Sequence, residues 1–553
     1  MHERVLGLEV EYSTSHLPAD GRASLSSADV SRLIHDAADR LSGSDRNTGQ
    51  FKENGARLYY DDGHVEWATP ECRGAREAVI YDRAGDRLME RTVPGVEAEM
   101  RRQNKPGMLW LGKNNVDAQG STFGCHENYL VQRNSPLLAS DTDFFQYLVT
   151  CLVPFLVSRT VVCGSGRVTG GQFHLSQRAG FLTHVTAENT RAARAIINTR
   201  DEPHADGGRF RRLHLILGDS NMAEWAVYLK LGTTALVLEM IEDLFLEDPY
   251  ECVDAVAALK AISQDSTLAA HVPTKNKGRV TALEMQHWYL GAARVFFDPI
   301  PDDDTRVVLE NWEETLRALE HDPQMLVGRL DWVTKQLWIE AETGGRPDWK
   351  DPIVEEMDWK YHGLHPDANV FQSFRQAGLV HDVVTADEVE VALRQPPPFT
   401  RARVRSEAVK RRLRVADWST VRTEATATRL AQSTHDLADP LDWCPTPVVL
   451  ALGLDQVELL SWITSGLESD SPLVRCQALQ ALAESSDRKA ALLAAQGLAD
   501  RDHRVRAAAA TTLCRLKDGR VIEALQKAAN DAHFGVRYHA VRALAAQISP
   551  STG

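Results

Sequence analysis

No C-x-x-C pair occurs among the eight cysteines of this 553-residue chain (Cys72, Cys125, Cys151, Cys163, Cys252, Cys444, Cys476 and Cys514). Their scatter argues against a disulfide scaffold and against a structural zinc site. Long apolar runs are missing too. The most hydrophobic stretch, Leu148 to Val157, contains Thr150 and Pro154 and is about half the length of a membrane span, so it reads as a buried helix. There is no excess of positive charge: 62 Lys and Arg stand against 77 Asp and Glu, for a formal net charge of −15. That balance disfavours nucleic acid and anionic membranes as partners, so any basic function must be local. The segment Met1-His2-Glu3-Arg4 leads straight into a strand pattern without the basic and apolar regions of a signal peptide, and the expected location is cytoplasmic. What is present, 43% apolar and 25% charged residues, belongs to an ordinary globular protein with room for about three or four domains.

The most informative positive feature is a pair of glutamates in an apolar run, Val5-Leu6-Gly7-Leu8-Glu9-Val10-Glu11-Tyr12. Alternate residues of a strand share a face, so Glu9 and Glu11 point one way while Leu8, Val10 and Tyr12 point the other. Two like charges roughly 7 Å apart on a half-buried face repel unless a cation or a proton lies between them. Two readings follow: an oxygen-rich magnesium site, or an edge strand with solvated glutamates.

Further on, Arg57 to Asp61 and His64 to Glu66 form a strand, an Asp61-Asp62-Gly63 turn and a second strand. Glu66 offers a third carboxylate, and Asp61, at the strand end, is placed to accept a proton. The alternative makes Asp61 and Asp62 plain turn formers. His126 and Asn128 share a strand face, and His214 lies within the apolar Leu213-His214-Leu215. Each histidine is either a satisfied core imidazole or a ligand beside carboxylates. Arg200 is either a bidentate phosphate ligand or half of a surface ion pair.

Residues 1 to about 240 mix strands and helices, and the pattern from Thr233 to Phe245 predicts a buried helix after Gly232. Gln395-Pro396-Pro397-Pro398 marks a boundary. A basic segment follows, with Arg401, Arg403, Arg405, Lys410, Arg411, Arg412 and Arg414; it is either a recruiting surface for an acidic partner or a solvated helix face. Beyond it Val474-Arg475, Val505-Arg506 and Val536-Arg537 recur every 31 residues, in register with Ala478, Ala509 and Ala540. Such a period indicates stacked helix pairs and resembles short HEAT-like repeats, which supply an interaction surface or brace the parent fold. The domains expected are 1–394, 395–440 and 441–553.

Glu9-Val10-Glu11-Tyr12, Asn54 to Tyr59, Gly124 to Tyr129, Ile196 to Asp206 and Leu213 to Met222 together resemble the successive motifs of the Pup ligases and depupylases. The resemblance runs from residue 1 to about 435 and leaves out the repeats. It implies an α+β fold, a glutamine-synthetase-like antiparallel sheet cradle packed with helices, followed by a small C-terminal domain and then an all-α repeat array. It also implies ATP and Mg2+ as cofactors, a Pup-like small acidic modifier and lysine-bearing proteins as partners, and no nucleic acid or membrane. A protein partner is expected on the repeats. By resemblance Glu9, Tyr59 and Glu66 match magnesium positions, with Glu11, His126 and His214 in the same shell. Arg57, Thr69, Arg200 and Trp418 match positions around ATP, and Asp61 matches the catalytic aspartate.

Ligases and depupylases share nearly all of these residues. Only the short stretch Asp36 to Glu53 separates His35 from Asn54, where depupylases carry a long inserted loop, and this favours the ligase. Ser13, the Asp61 to Glu66 spacing and Pro70 lean the other way. The expectation is therefore a ligase, with a depupylase or deamidase, and a non-catalytic Pup- or target-binding adaptor, as the alternatives.

Overall fold

The computed structural model describes residues 4–19, 24–42, 50–61, 63–117, 120–133, 140–188, 193–300, 302–423 and 433–548. The turn aspartate Asp62 lies outside them. Internal contacts divide the chain into two units, Met1–Pro397 and Pro398–Gly553, and the division falls within the proline run.

The first unit is organised by an eight-stranded sheet. Its strands in chain order are β1 (Leu6–Pro18), β2 (Arg57–Asp61), β3 (His64–Ala68), β4 (Gly107–Gly112) and β5 (Cys125–Gln132). A separate hairpin, β6 (Arg167–Thr169) and β7 (Gln172–His174), precedes β8 (His184–Ala187), β9 (Ala195–Asn198) and β10 (Phe210–Leu215). The spatial order is β2-β3-β1-β5-β10-β9-β8, and β4 pairs with the second half of β1. The fold is α+β, as expected. One strand pair departs from the antiparallel expectation: β8 runs parallel to β9.

Period-two patterning decides which face of β1 is covered. Leu6, Leu8, Val10 and Tyr12 are buried, whereas Gly7, Glu9 and Glu11 are half-buried. Tyr12 donates its hydroxyl to Asp86 Oδ1 at 2.9 Å, on the helix Ala75–Arg102. The apolar stretch around Leu148 lies in the helix Asp141–Ser158, whose N-cap Ser140 accepts from Asp143 N. The helix read from Thr233 to Phe245 begins earlier and spans Glu224–Glu242. Gly232 sits inside it, because a Cβ there would stand 2.8 Å from Val308 Cγ2 on the neighbouring helix Asp303–His321. Glycine at this point marks a close helix approach and not a start signal. Among the described residues no helix is long and apolar enough to cross a membrane.

The second unit opens with the helix Ala402–Lys410 and a three-stranded sheet, Arg414–Asp417, Thr420–Thr423 and Ser433–Asp436. Neither a recruiting surface nor a solvated helix face describes all seven residues of the basic segment. Arg401 and Arg405 are buried, donating to the carbonyls of Leu437 and Trp418. Arg403 lies 4.0 Å over the Trp462 ring. Only Lys410, Arg412 and Arg414 of the seven are exposed; the others cap carbonyls, cover aromatic surface or pair with Glu407, as Arg411 does. Helices Pro472–Leu482, His503–Leu516 and Phe534–Ile548 then carry the 31-residue repeat. Its arginines form a ladder: Arg475 makes a bidentate pair with Asp500 and Arg506 with Asp531, each at 2.7–3.1 Å.

Candidate active site

Sheet register gathers the polar residues of one face. Glu11 stands opposite Glu66, Tyr59 opposite Glu66, Glu9 opposite His126, and His214 opposite Asn128. Residues from β2, β3, β1, β5 and β10 thus meet because each sits at an alternate, outward position of its strand. The chain must be narrow beside them: a Cβ on Gly124 would stand 2.5 Å from His126 Nε2 and 2.8 Å from Glu11 Oε1.

The charges are unequal by design of their surroundings. Burial alone would raise Glu9, but Arg212, whose Nη2 lies 2.8 Å from Glu9 Oε1, together with His126 and His214 holds it below the usual carboxylate range. Burial is likewise overcome at Glu11, where His64 Nδ1 lies 2.6 Å from Oε2 and the carboxyl is held at about 2. Among the described residues no such cation stands against Glu66. Burial, then Glu9 and Glu11, push it well above its ordinary value, although the Tyr59 hydroxyl donates to it. Burial, then Glu9 and Glu66, raise Tyr59 as well, so it stays a phenol.

The donor set suits a divalent cation. Ligand atoms of Glu9, His126 and His214 all lie within 4.8 Å of one another. Burial lowers His214 well below the ordinary imidazole value, and its buried Nε2 makes no hydrogen bond. A neutral imidazole with an orphaned nitrogen, among three crowded carboxylates, is an arrangement that a cation completes and that water alone leaves repulsive.

The other expected site residues are more dispersed. Asp61 is exposed at the end of β2, on the face that Arg57 and Tyr59 share. Arg57 lies 4.5 Å over the Tyr59 ring and donates to Gln50 Oε1. Thr69 is buried, its Oγ1 accepting from Leu8 N at 3.0 Å, so it pins β1. Arg200 follows β9 but is exposed and paired with Glu202 at 2.7 Å, the ion-pair alternative of the two readings. Trp418 belongs to the second unit, where Arg405 lies 5.1 Å over its ring.

Two members went unread in the sequence, His64 and Arg212. Each sits two residues before a recognised one, Glu66 and His214, and therefore on the same strand face; that spacing was the available signal.

A sheet-borne cluster of carboxylates and imidazoles on an α+β scaffold is a donor set suited to enzymatic carboxyl or phosphoryl chemistry beside a divalent cation. A model of the Pup-ligase protein family matches residues 4–422, and one of HEAT repeats matches residues 491–552. The chain belongs to the Pup-ligase family. It is 42% identical over 386 residues to a depupylase of Acidothermus cellulolyticus, covering 66% of this chain and 74% of that protein. It is 38% identical over 422 residues to a Pup–protein ligase of Acidimicrobium ferrooxidans, covering 74% and 89%. Among solved structures, a complex between the prokaryotic ubiquitin-like protein Pup and its ligase PafA superposes with a TM-score of 0.72 at 31% identity, over 85% of this chain and 96% of that one. PafA in complex with ADP superposes with a TM-score of 0.66 at 30% identity, over 78% and 94%.

Proposed function

We propose that this chain is an ATP-dependent Pup–protein ligase. It activates the γ-carboxylate of the C-terminal glutamate of a Pup-like modifier and joins it to a substrate lysine by an isopeptide bond. The observation that carries the reading is the Glu9, Glu11, Glu66, His126 and His214 cluster on one sheet face, with Asp61 at its edge. In this reading residues 1–394 form the catalytic domain, 395–440 a small C-terminal domain of the ligase core and 441–553 the repeats. The cell compartment expected is the cytoplasm.

The γ-phosphoryl group of ATP passes to an oxygen of the modifier's carboxylate, leaving ADP and an acyl phosphate. The lysine amine then attacks the acyl carbon, phosphate departs and the amide forms. Glu9, Glu11 and Glu66 with His126 and His214 would hold Mg2+, which supplies Lewis-acid charge near the phosphates. Arg212 fixes Glu9, His64 fixes Glu11, and the Tyr59 hydroxyl orients Glu66, so the acceptor oxygens are aimed before substrate arrives. Lysine is protonated at neutral pH, and the exposed Asp61 carboxylate receives its ammonium and takes the proton as attack begins. Arg57, Thr69, Arg200 and Trp418 are assigned to ATP. For Arg200 this requires release from Glu202.

The 42% identical depupylase gives the hydrolytic direction a specific claim, against which stands the short stretch Asp36 to Glu53 between His35 and Asn54. The test separates the two. With ATP, Mg2+ and Pup, Asp61→Asn should form a Pup hydroxamate with hydroxylamine at a rate close to wild type, since hydroxylamine needs no base, while transfer to a lysine-bearing acceptor falls sharply. Rapid release of acceptor from a preformed conjugate by the wild-type protein, with no net conjugation under excess ATP and Pup, would overturn the ligase direction.

A further inference from the structure

The 31-residue register identifies an open interface on the last repeat helix. In the helix His503–Leu516, one side is devoted to the module that follows. Arg506 takes the Asp531 carboxylate with Nε and Nη2 at 2.7 and 3.1 Å. The His503 ring lies 4.0 Å from that of His533, and Thr511 Oγ1 is 3.1 Å from His539 Nδ1. Ala507 and Ala510 pack against Ala528, Val536 and Ala540. Ala510 is fully buried there, as is Leu479 at the same position one module earlier. The equivalents 31 residues further on are Phe534, Arg537, Tyr538, Val541 and Arg542. Among the described residues no further module covers them: Phe534 is 72% exposed, Tyr538 50% and Val541 55%. The ends of such arrays ordinarily turn a polar face to water. This end instead presents three large apolar side chains at helical spacing on one side of one helix.

Arg537 says what chemistry that face fits. Arg475 and Arg506 each use Nη1 on two carbonyls of their own loop, and Nε with Nη2 on the aspartate of the next. Arg537 repeats the first half, its Nη1 donating to the carbonyls of Asp531 and Ala532 at 2.8 Å. The guanidinium is thus held in the same pose, while among the described residues its other edge meets no carboxylate. The helix Phe534–Ile548 contains no acidic residue, only Arg537 and Arg542 as full charges. Two copies of this face related by a two-fold axis would set arginine against arginine, which disfavours a second copy of this chain as the cover. The cover that fits does what each following module does within the array. Asp500 and Asp531 each stand three residues before the helix they introduce, five before Val505 and Val536, and nine before Ala509 and Ala540. A carboxylate in the loop and an apolar side on the helix behind it therefore arrive together.

We propose that the outer face of the helix Phe534–Ile548 docks an acidic amphipathic helix of a partner protein. The partner's loop carboxylate completes the bidentate pair with Arg537, and its apolar side covers Tyr538 and Val541, continuing the interface that joins the modules within the chain. The surface is independent of the direction of catalysis in the first unit, and its test reads binding alone.

Fluorescence anisotropy of the full chain with a labelled, hydrocarbon-bridged helical peptide checks it. The peptide carries Asp at its first position, Val at the sixth and Ala at the tenth, with glutamates on the opposite side; the control has Asn in place of that Asp. Wild type should bind the Asp peptide, and the Asn peptide about tenfold more weakly. Val541→Glu alters an exposed side chain and should leave the melting of the repeats unchanged, yet weaken binding about tenfold or more by setting a charge in the apolar contact. Arg537→Gln should weaken the Asp peptide about tenfold and hardly move the Asn peptide, a difference that unfolding of the last helix would not produce. Absence of binding, equal affinity for the two peptides, or an affinity unmoved by Val541→Glu would overturn the proposal. So would sedimentation velocity in which the wild-type chain dimerises and Val541→Glu does not, an outcome that assigns the face to a second copy.

Discussion

Replacing Glu66 by glutamine should flatten the pH dependence of stability of the first unit in the absence of divalent cations. Glu66 stands directly across from Glu11 and is pushed well above the ordinary carboxylate value by burial, Glu9 and Glu11. Between the unfolded value of about 4.3 and the raised folded value, the native state holds a proton that the unfolded chain has lost. Stability contributed by this group is therefore full below the unfolded value and is lost as pH rises through the window. The loss is about 1.4 kcal/mol per pH unit. A unit of about 400 residues has a melting entropy near 0.8 kcal/mol/K, so the slope amounts to roughly 1.5–2 °C per pH unit. Other raised carboxyls, such as Asp82 and Asp331, add slopes of their own, which the comparison of wild type with Glu66→Gln cancels. Scanning calorimetry in a chelating buffer from pH 5 upward measures that difference. Mg2+ should raise the wild-type midpoint and remove the extra slope, because it binds the ionised carboxylate, and should do much less for the variant. Parallel curves in the chelator, or equal stabilisation of both proteins by Mg2+, would refute the placement of a shared proton and cation at Glu66.

Gly232→Ala should cost about 1–3 kcal/mol through the 2.8 Å contact with Val308, read as a lowered melting midpoint with the KM for ATP unchanged. Arg475→Ala, which breaks the pair with Asp500 and the bonds to the carbonyls of Ser469 and Asp470, should destabilise the repeats by about 1.5–3 kcal/mol in urea titrations followed by far-UV circular dichroism. Burial opposes but Arg475 and Arg506 hold Asp500 and Asp531 below the ordinary range. Their contribution is thus present above about pH 4 and disappears as pH falls through the lowered values, so acid unfolding of the repeats should lose part of its steepness in Arg475→Ala.

The strand face of Glu9 and Glu11, the hairpin carrying Asp61 and Glu66, and the repeat period were legible because period-two alternation and exact recurrence survive without knowledge of neighbours. His64 and Arg212 were harder. Their roles depend on which strands lie side by side, and β1 meets β3, β5 and β4 from 53 to 123 residues away in the chain. The basic segment misled for a related reason: composition counts Arg401 and Arg405 as charge, whereas the fold spends them on carbonyls that only tertiary packing brings near. Arg200 illustrates the converse. A motif places it beside phosphate, and its neighbour Glu202 claims it in the described conformation.

The arginine ladder restricts how such a protein can change length. Each ladder arginine grips the loop that begins its own repeat and the aspartate that begins the next: Arg506 holds the carbonyls of Asp500 and Arg501 and the carboxylate of Asp531. Inserting or deleting one residue within a repeat would rotate the following helix by about 100° and detach both grips at once. Duplication or loss of a whole 31-residue module leaves every grip intact.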